Sequence, residues 1–200
     1  MLVPAAAPYI FHVSTTDCIL APAPEALAGK PVEIGLWFCA DRIADLHRAG
    51  YAVVAVVSGR LAEEELVGLA GQIARVRPER EWHQLLAVAA ATQAALLAIA
   101  LHRLGVPAAA LDATQTGVRV ARCPGGARIA AVDPSGIRSR LARGLVVVVA
   151  GAQGVDADGD ILTLGPDGDT VLAHALAAGL DGLVRQLCME GSTCELIVRP

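Results

Sequence analysis

The sequence predicts an α/β fold, a three-layer sandwich with helices on both faces of a mainly parallel central sheet, in a single domain spanning residues 1–200. Three observations carry this reading. Apolar runs of strand length alternate with segments of helical spacing, the pattern of βαβ units. The composition is 54% hydrophobic and only 3% aromatic, so the core must be built from Ala, Val, Leu and Ile, which suits close packing of helices on a parallel sheet. Residues 51–57 and 145–150 are continuous apolar runs, as expected of strands covered on both faces.

The elements follow in order. Residues 9–13 read as a first short strand. Residues 14–30, with Pro22 and Pro24, read as a loop. Ile43 and Leu46 give residues 41–48 helical spacing, and Gly50 is placed as its stop. A buried strand at 51–57 turns at Ser58-Gly59 into a helix over 61–76. Leu66, Leu69 and Ile73 form the expected inward face of that helix. Glu63, Glu64 and Glu65 near its start suit the helix dipole and read as a solvated face. After a charged loop at 75–80, residues 81–104 predict a long apolar helix closed by Gly105. Strands are expected at 107–111 and 127–132. Asp133-Pro134 caps a helix that ends at Gly144. The strand at 145–150 leads into a hairpin turning at 156–159 and returning along 161–164. A helix over 169–180 and a last strand at 193–198 complete the chain.

Composition excludes several function classes. A net charge of −4 with no basic run argues against a nucleic-acid binder. Residues 85–101 are apolar, but they contain Thr92 and Gln93, are rich in alanine and are short for a span. They read as a buried helix, so no membrane partner is expected. No basic segment precedes an apolar run at the N-terminus, so a cytoplasmic protein is expected. The five cysteines form no CxxC pair and read as reduced thiols, with no metal site.

The stretch 141–180, LARGLVVVVAGAQGVDADGDILTLGPDGDTVLAHALAAGL, combines a strand, a glycine corner, a hairpin and a glycine turn opening a helix. Backbone amides freed at Gly151, Gly154 and Gly165 and at the helix start are candidates to hold a phosphate or carboxylate; the same glycines also read as the strand-to-helix corners that the fold needs. Ligands of open parallel sheets bind at the carboxyl ends of the strands, where Arg60 is the nearest cation to the Ser58-Gly59 turn. His12 ends the first strand. It reads either as a donor to a bound anion when protonated or as a polar residue at a sheet edge. His47, His83, His102 and His174 fall on helices without convergent partners.

Four blocks, in order, resemble the amino-acid kinase family and within it the aspartokinases. AVVAVVSG at 52–59 is similar to that family's VVVVSA strand and turn. LLAVAAATQAALLAIALHRLG at 85–105 is similar to its LL-x-x-G-E-x-x-S helix. LDATQTGV at 111–118 is similar to L-x-G-x-Q-A-G-I. AGAQGVDADGDILTLGPDGDT at 150–170 resembles AGFQG…ITTLGRGGSDT. The resemblance covers about residues 50–180. It implies the amino-acid-kinase fold, a homodimer, and a site in which Ser58, Asp169 and Thr170 survive.

The departures fall on the chemistry that the resemblance implies. The family's opening K-F-G-G-T-S is matched best by His12-Val13-Ser14-Thr15-Thr16-Asp17, so the phosphate lysine becomes His12 and the glycine pair becomes Ser14 and Thr15. Lys30, the one lysine of the chain, is an alternative match, with no strand before it and no glycine pair after it. The substrate-site glutamate falls on Ala90. The arginine that clamps the substrate carboxylate falls on Pro166, which cannot replace a bidentate contact. The family's nucleotide block and regulatory domain have no counterpart in these 200 residues.

Phosphoryl transfer depends on positioned cations. The first expectation is therefore a degenerate aspartokinase-like domain, a pseudoenzyme without aspartate kinase activity. It would act as a small-acid-binding or partner subunit and need no cofactor. The second is an active kinase of an amino acid or other small carboxylate, using ATP and Mg with Lys30 or Arg60 recruited. Such an enzyme would be an amino-acid-kinase-type phosphotransferase. The third is unrelated chemistry in the same cleft, with His12, Thr16 and Asp169 taking part. Catalytic candidates are thus His12, Lys30, Arg60 and Asp169. Anion- or substrate-binding candidates are Ser14, Thr15, Thr16, Ser58, Gly59, Gly151, Gly154, Gly165 and Thr170.

Overall fold

Two runs without a polar side chain make the centre of the molecule. In the computed structural model, β2 (Val53–Val57) and β6 (Val146–Ala150) lie side by side and parallel, and every residue of both is buried. The structure describes residues 9–13, 31–58, 60–124, 126–165, 167–190 and 193–198, with side-chain surroundings for 36–58, 63–124, 126–165 and 167–182.

The large sheet has the order β10-β9-β1-β2-β6-β3. Its remaining strands are β1 (Tyr9–Val13), β3 (Ala108–Leu111), β9 (Leu183–Glu190) and β10 (Thr193–Val198). All neighbours are parallel except β9 and β10. The second sheet, order β5-β4-β7-β8, was not expected from the sequence. It joins the hairpin of β4 (Val118–Cys123) and β5 (Gly126–Val132) to that of β7 (Gln153–Val155) and β8 (Ile161–Thr163). One parallel register pair, Arg119 with Val155, connects the two hairpins.

Helices cover both faces of the large sheet because strand residues alternate sides. Val53, Ala55 and Val57 with Val146, Val148 and Ala150 pack against α1 (Pro31–Arg48) and α3 (Glu79–Arg103). Val54, Val56, Val147 and Val149 pack against α4 (Ser135–Ala142) and α5 (Gly168–Leu180). α3 meets the sheet through Ala90, Ala94, Leu97, Ala98 and Leu101. Its many alanines let the helix approach closely, as the low aromatic content implied. α3 is long and apolar enough to cross a membrane, yet half of its apolar window is buried inside this fold.

Several expectations need correction. α1 begins ten residues before the expected start at 41. β4 and β9 were not expected. His12 does not sit at a sheet edge: β1 lies between β2 and β9, with His12 in register with Val56 and Gln186. α2 (Arg60–Ile73) packs on α3 with a different face from the expected one. Glu63, Leu66, Val67 and Ala70 are its half-buried residues, whereas Leu69 is 56% and Ile73 86% exposed. The loop expected at 14–30 lies outside the described residues.

Candidate functional site

The carboxyl ends of β2 and β6 open onto a cleft of about 370 Å³, within the range typical of small-molecule sites. Ser58 follows β2, and Gly151-Ala152-Gln153 follow β6. The start of α5 contributes Asp167, Gly168 and Asp169, and the β8 turn contributes Thr163 and Gly165. The opposite wall comes from Leu86, Ala87 and Ala90 of α3 and Glu63 of α2.

Close approach explains the glycine corner. The Gly151 N–H donates to the Val57 carbonyl at 2.9 Å, tying the end of β6 to the end of β2. A Cβ at Gly151 would run into the Asp169 carboxylate and come within 2.8 Å of that same carbonyl. Gly151 is therefore there to admit Asp169, and its amide is not the free anion donor expected from the sequence. Gly154 is also corrected. It sits in β7 within the small sheet, beside β4, where a Cβ would meet Val120 Cγ1 at 2.6 Å, so it serves packing and lies outside the cleft lining.

Gly165 does line the cleft, with φ +75°, and its carbonyl accepts from Gly168 N at 3.1 Å. Thr170 lies one residue beyond the lining, and its carbonyl accepts from His174 Nδ1 at 2.8 Å. Two non-glycine residues of the cleft wall hold left-handed backbone, Ala152 at φ 53° and Asp167 at φ 59°. Such conformations cost roughly 1–3 kcal/mol and gather at functional sites.

The structure thus brings together Ser58, Gly151, Gly165 and Asp169 from the expected set. Ser14, Thr15, Thr16, Lys30 and Gly59 lie outside the described residues, and His12 and Arg60 are described by backbone alone. Sequence reasoning missed Glu63 and Gln153. It also missed His83, which is not without a partner: its Nδ1 lies 2.8 Å from Thr163 Oγ1 and accepts from Thr163 N at 3.3 Å. Because a backbone N–H can only donate, this geometry places the imidazole proton on Nε2. Among the described lining residues the charged groups are Glu63, Asp167 and Asp169, all acidic. Those residues offer no cation to a triphosphate.

A parallel sheet with its cleft between the ends of β2 and β6 can be compared with known proteins. The model of the amino acid kinase family matches residues 38–183. The chain belongs to that family. Among curated relatives, an aspartokinase of Geobacillus stearothermophilus is 41% identical over 142 residues, 70% of this chain and 35% of the relative. An aspartokinase of Mycolicibacterium smegmatis is 38% identical over 150 residues, 74% of this chain and 36% of the relative. This family member therefore spans about a third of the length of those relatives. Among solved structures, aspartate kinase from Synechocystis superposes with a TM-score of 0.66 at 30% identity, covering 89% of this chain and 28% of that one.

Proposed function

We propose that this amino-acid-kinase-family domain binds a small amino-acid-type molecule in the cleft and does not phosphorylate aspartate. The observation that carries the reading is the charge of the described lining, three carboxylates and no lysine or arginine. In water-poor clefts, phosphoryl transfer needs the opposite charge. Ala90 stands in the cleft where the resemblance implies a substrate-side glutamate, and Glu63 approaches the same space from α2. Glu63 and Asp169 suit the ammonium of an amino acid. The first-turn amides of α5, at the positive end of its dipole, suit the carboxylate.

The experiment is direct. With Mg-ATP and L-aspartate, hydroxylamine trapping should give no acyl phosphate above background, while calorimetry with a panel of amino acids should find saturable binding weakened by Glu63→Gln. Aspartate turnover would refute the reading. We also propose that the domain is a cytoplasmic homodimer. Self-association is supported by the exposure of Leu69 and Ile73 on α2 and Val88, Leu96 and Ile99 on α3, apolar side chains that a second copy could cover.

A further inference from the structure

Among the described residues, Gln153 is a cleft side chain whose whole amide is buried without a hydrogen bond. It is 1% exposed and lines the cleft. Among the described residues, neither its Nε2 nor its Oε1 has a hydrogen-bond partner. Its backbone is fixed in β7 by pairing with Thr163, itself a lining residue. A buried amide with both ends unmade carries a large desolvation cost, and native proteins rarely retain one without a use for it. Its place in the cleft wall says what the use is.

The amide dictates the partner. It presents one donor group and one acceptor side by side. A carboxylate satisfies Nε2 and sets an oxygen against Oε1. An ammonium satisfies Oε1 and sets a hydrogen against Nε2. A primary carboxamide presents the complementary pair and satisfies both at once. The surrounding carboxylates Glu63 and Asp169 favour the same choice, because an uncharged group adds no negative charge to an acidic cleft. We infer that Gln153 is a specificity-determining residue that reads an uncharged carboxamide or carbamoyl end of the ligand, so the cleft prefers an amide-bearing amino acid to a dicarboxylate. This rests on the proposal that the cleft holds an amino acid, and it adds which end is selected.

The test uses calorimetry on the full chain with L-asparagine and L-aspartate, which differ by one amino group in place of one oxygen. L-asparagine should bind at least about 10-fold more tightly, since sites built to pair a buried polar group discriminate strongly against a ligand that leaves it unpaired. In Gln153→Met the preference should collapse toward unity, while the thermal midpoint without ligand stays the same or rises. Gln153→Leu serves as a second variant with the same expectation. Equal or tighter binding of L-aspartate to the native chain, or a preference that survives both substitutions, overturns the inference and leaves the amino-acid site standing. Failure of the native chain to bind either compound overturns the amino-acid site as well.

Discussion

At the scale of single residues, the cleft is shaped by what is missing from Gly151. The Asp169 carboxylate and the Val57 carbonyl both occupy the space a side chain would take. Gly151→Ala should therefore destabilise the protein by about 1–3 kcal/mol, the usual cost of overpacking, and equilibrium urea unfolding would measure it. Gly165→Ala should be milder, because only its φ of +75° resists substitution and nothing lies within 4 Å of the added Cβ. The sequence made Gly151 conspicuous and left it two services, corner or anion donor, and the contacts of Gly151 fit the corner. A glycine after an apolar strand reads as a source of free amides, and only the register between β2 and β6 shows that the amide is already engaged. Gln153 was equally visible as the polar residue of AGAQG, but its lack of partners is a property of the folded neighbourhood.

At the scale of elements, α4 shows a local rule at work. Asp133 Oδ1 accepts from Ser135 N at 3.0 Å at the helix start. That backbone hydrogen bond, joined by one from the Ser135 side chain, holds the Asp133 carboxyl below its ordinary value. The sign follows from linkage: a depressed acid contributes stability that is present above its unfolded value, near 3.9, and is lost as pH falls through the lower folded value. Asp133→Ala should lower the thermal midpoint at neutral pH, and the gap from the native chain should close as pH drops below about 4. Thermal scans at a series of pH values would show it.

The same scale explains the misreading of α2. Its most hydrophobic stripe is Leu66, Leu69 and Ile73, yet the packed face runs through Glu63, Leu66, Val67 and Ala70. Periodicity locates a helix but not the partner that decides its rotation. A phase read from hydrophobicity points Glu63 to solvent, whereas Glu63 lines the cleft. The strands β2 and β6 and the helices α3 and α5 were legible because each signal is local. β4 was not, since Val118 and Val120 alternate with Arg119 and Arg122 over only six residues, and its pairing depends on distant segments. Arg122 then reaches Glu79 of α3 at 3.1 Å and Asp156 of the β7–β8 turn at 3.4 Å. Such a clamp leaves no mark in local sequence.

At the scale of the molecule, the layers follow from two all-apolar strands that need cover on both faces, while the α2–α3 hairpin carries apolar residues left over from that arrangement. Val88, Leu96 and Ile99 are separated by eight and three residues on α3 and are 48%, 43% and 63% exposed, so they share one stripe. If a second copy covers this stripe, the double substitution Leu96→Glu, Ile99→Glu should yield a monomer with an unchanged circular dichroism spectrum. Sedimentation velocity of both proteins decides the point, and a native chain that sediments as a monomer at high concentration would refute it.

The two hairpins of the small sheet meet at one rung, Arg119 with Val155, while β7 and β8 are stitched to each other along their length. Gln153 and Thr163 belong to the β7–β8 hairpin, and Ser58 and Gly151 to the carboxyl edge of the large sheet. A molecule gripped by both would pin that hairpin to the large sheet, so occupancy should slow amide hydrogen exchange along β7 and β8.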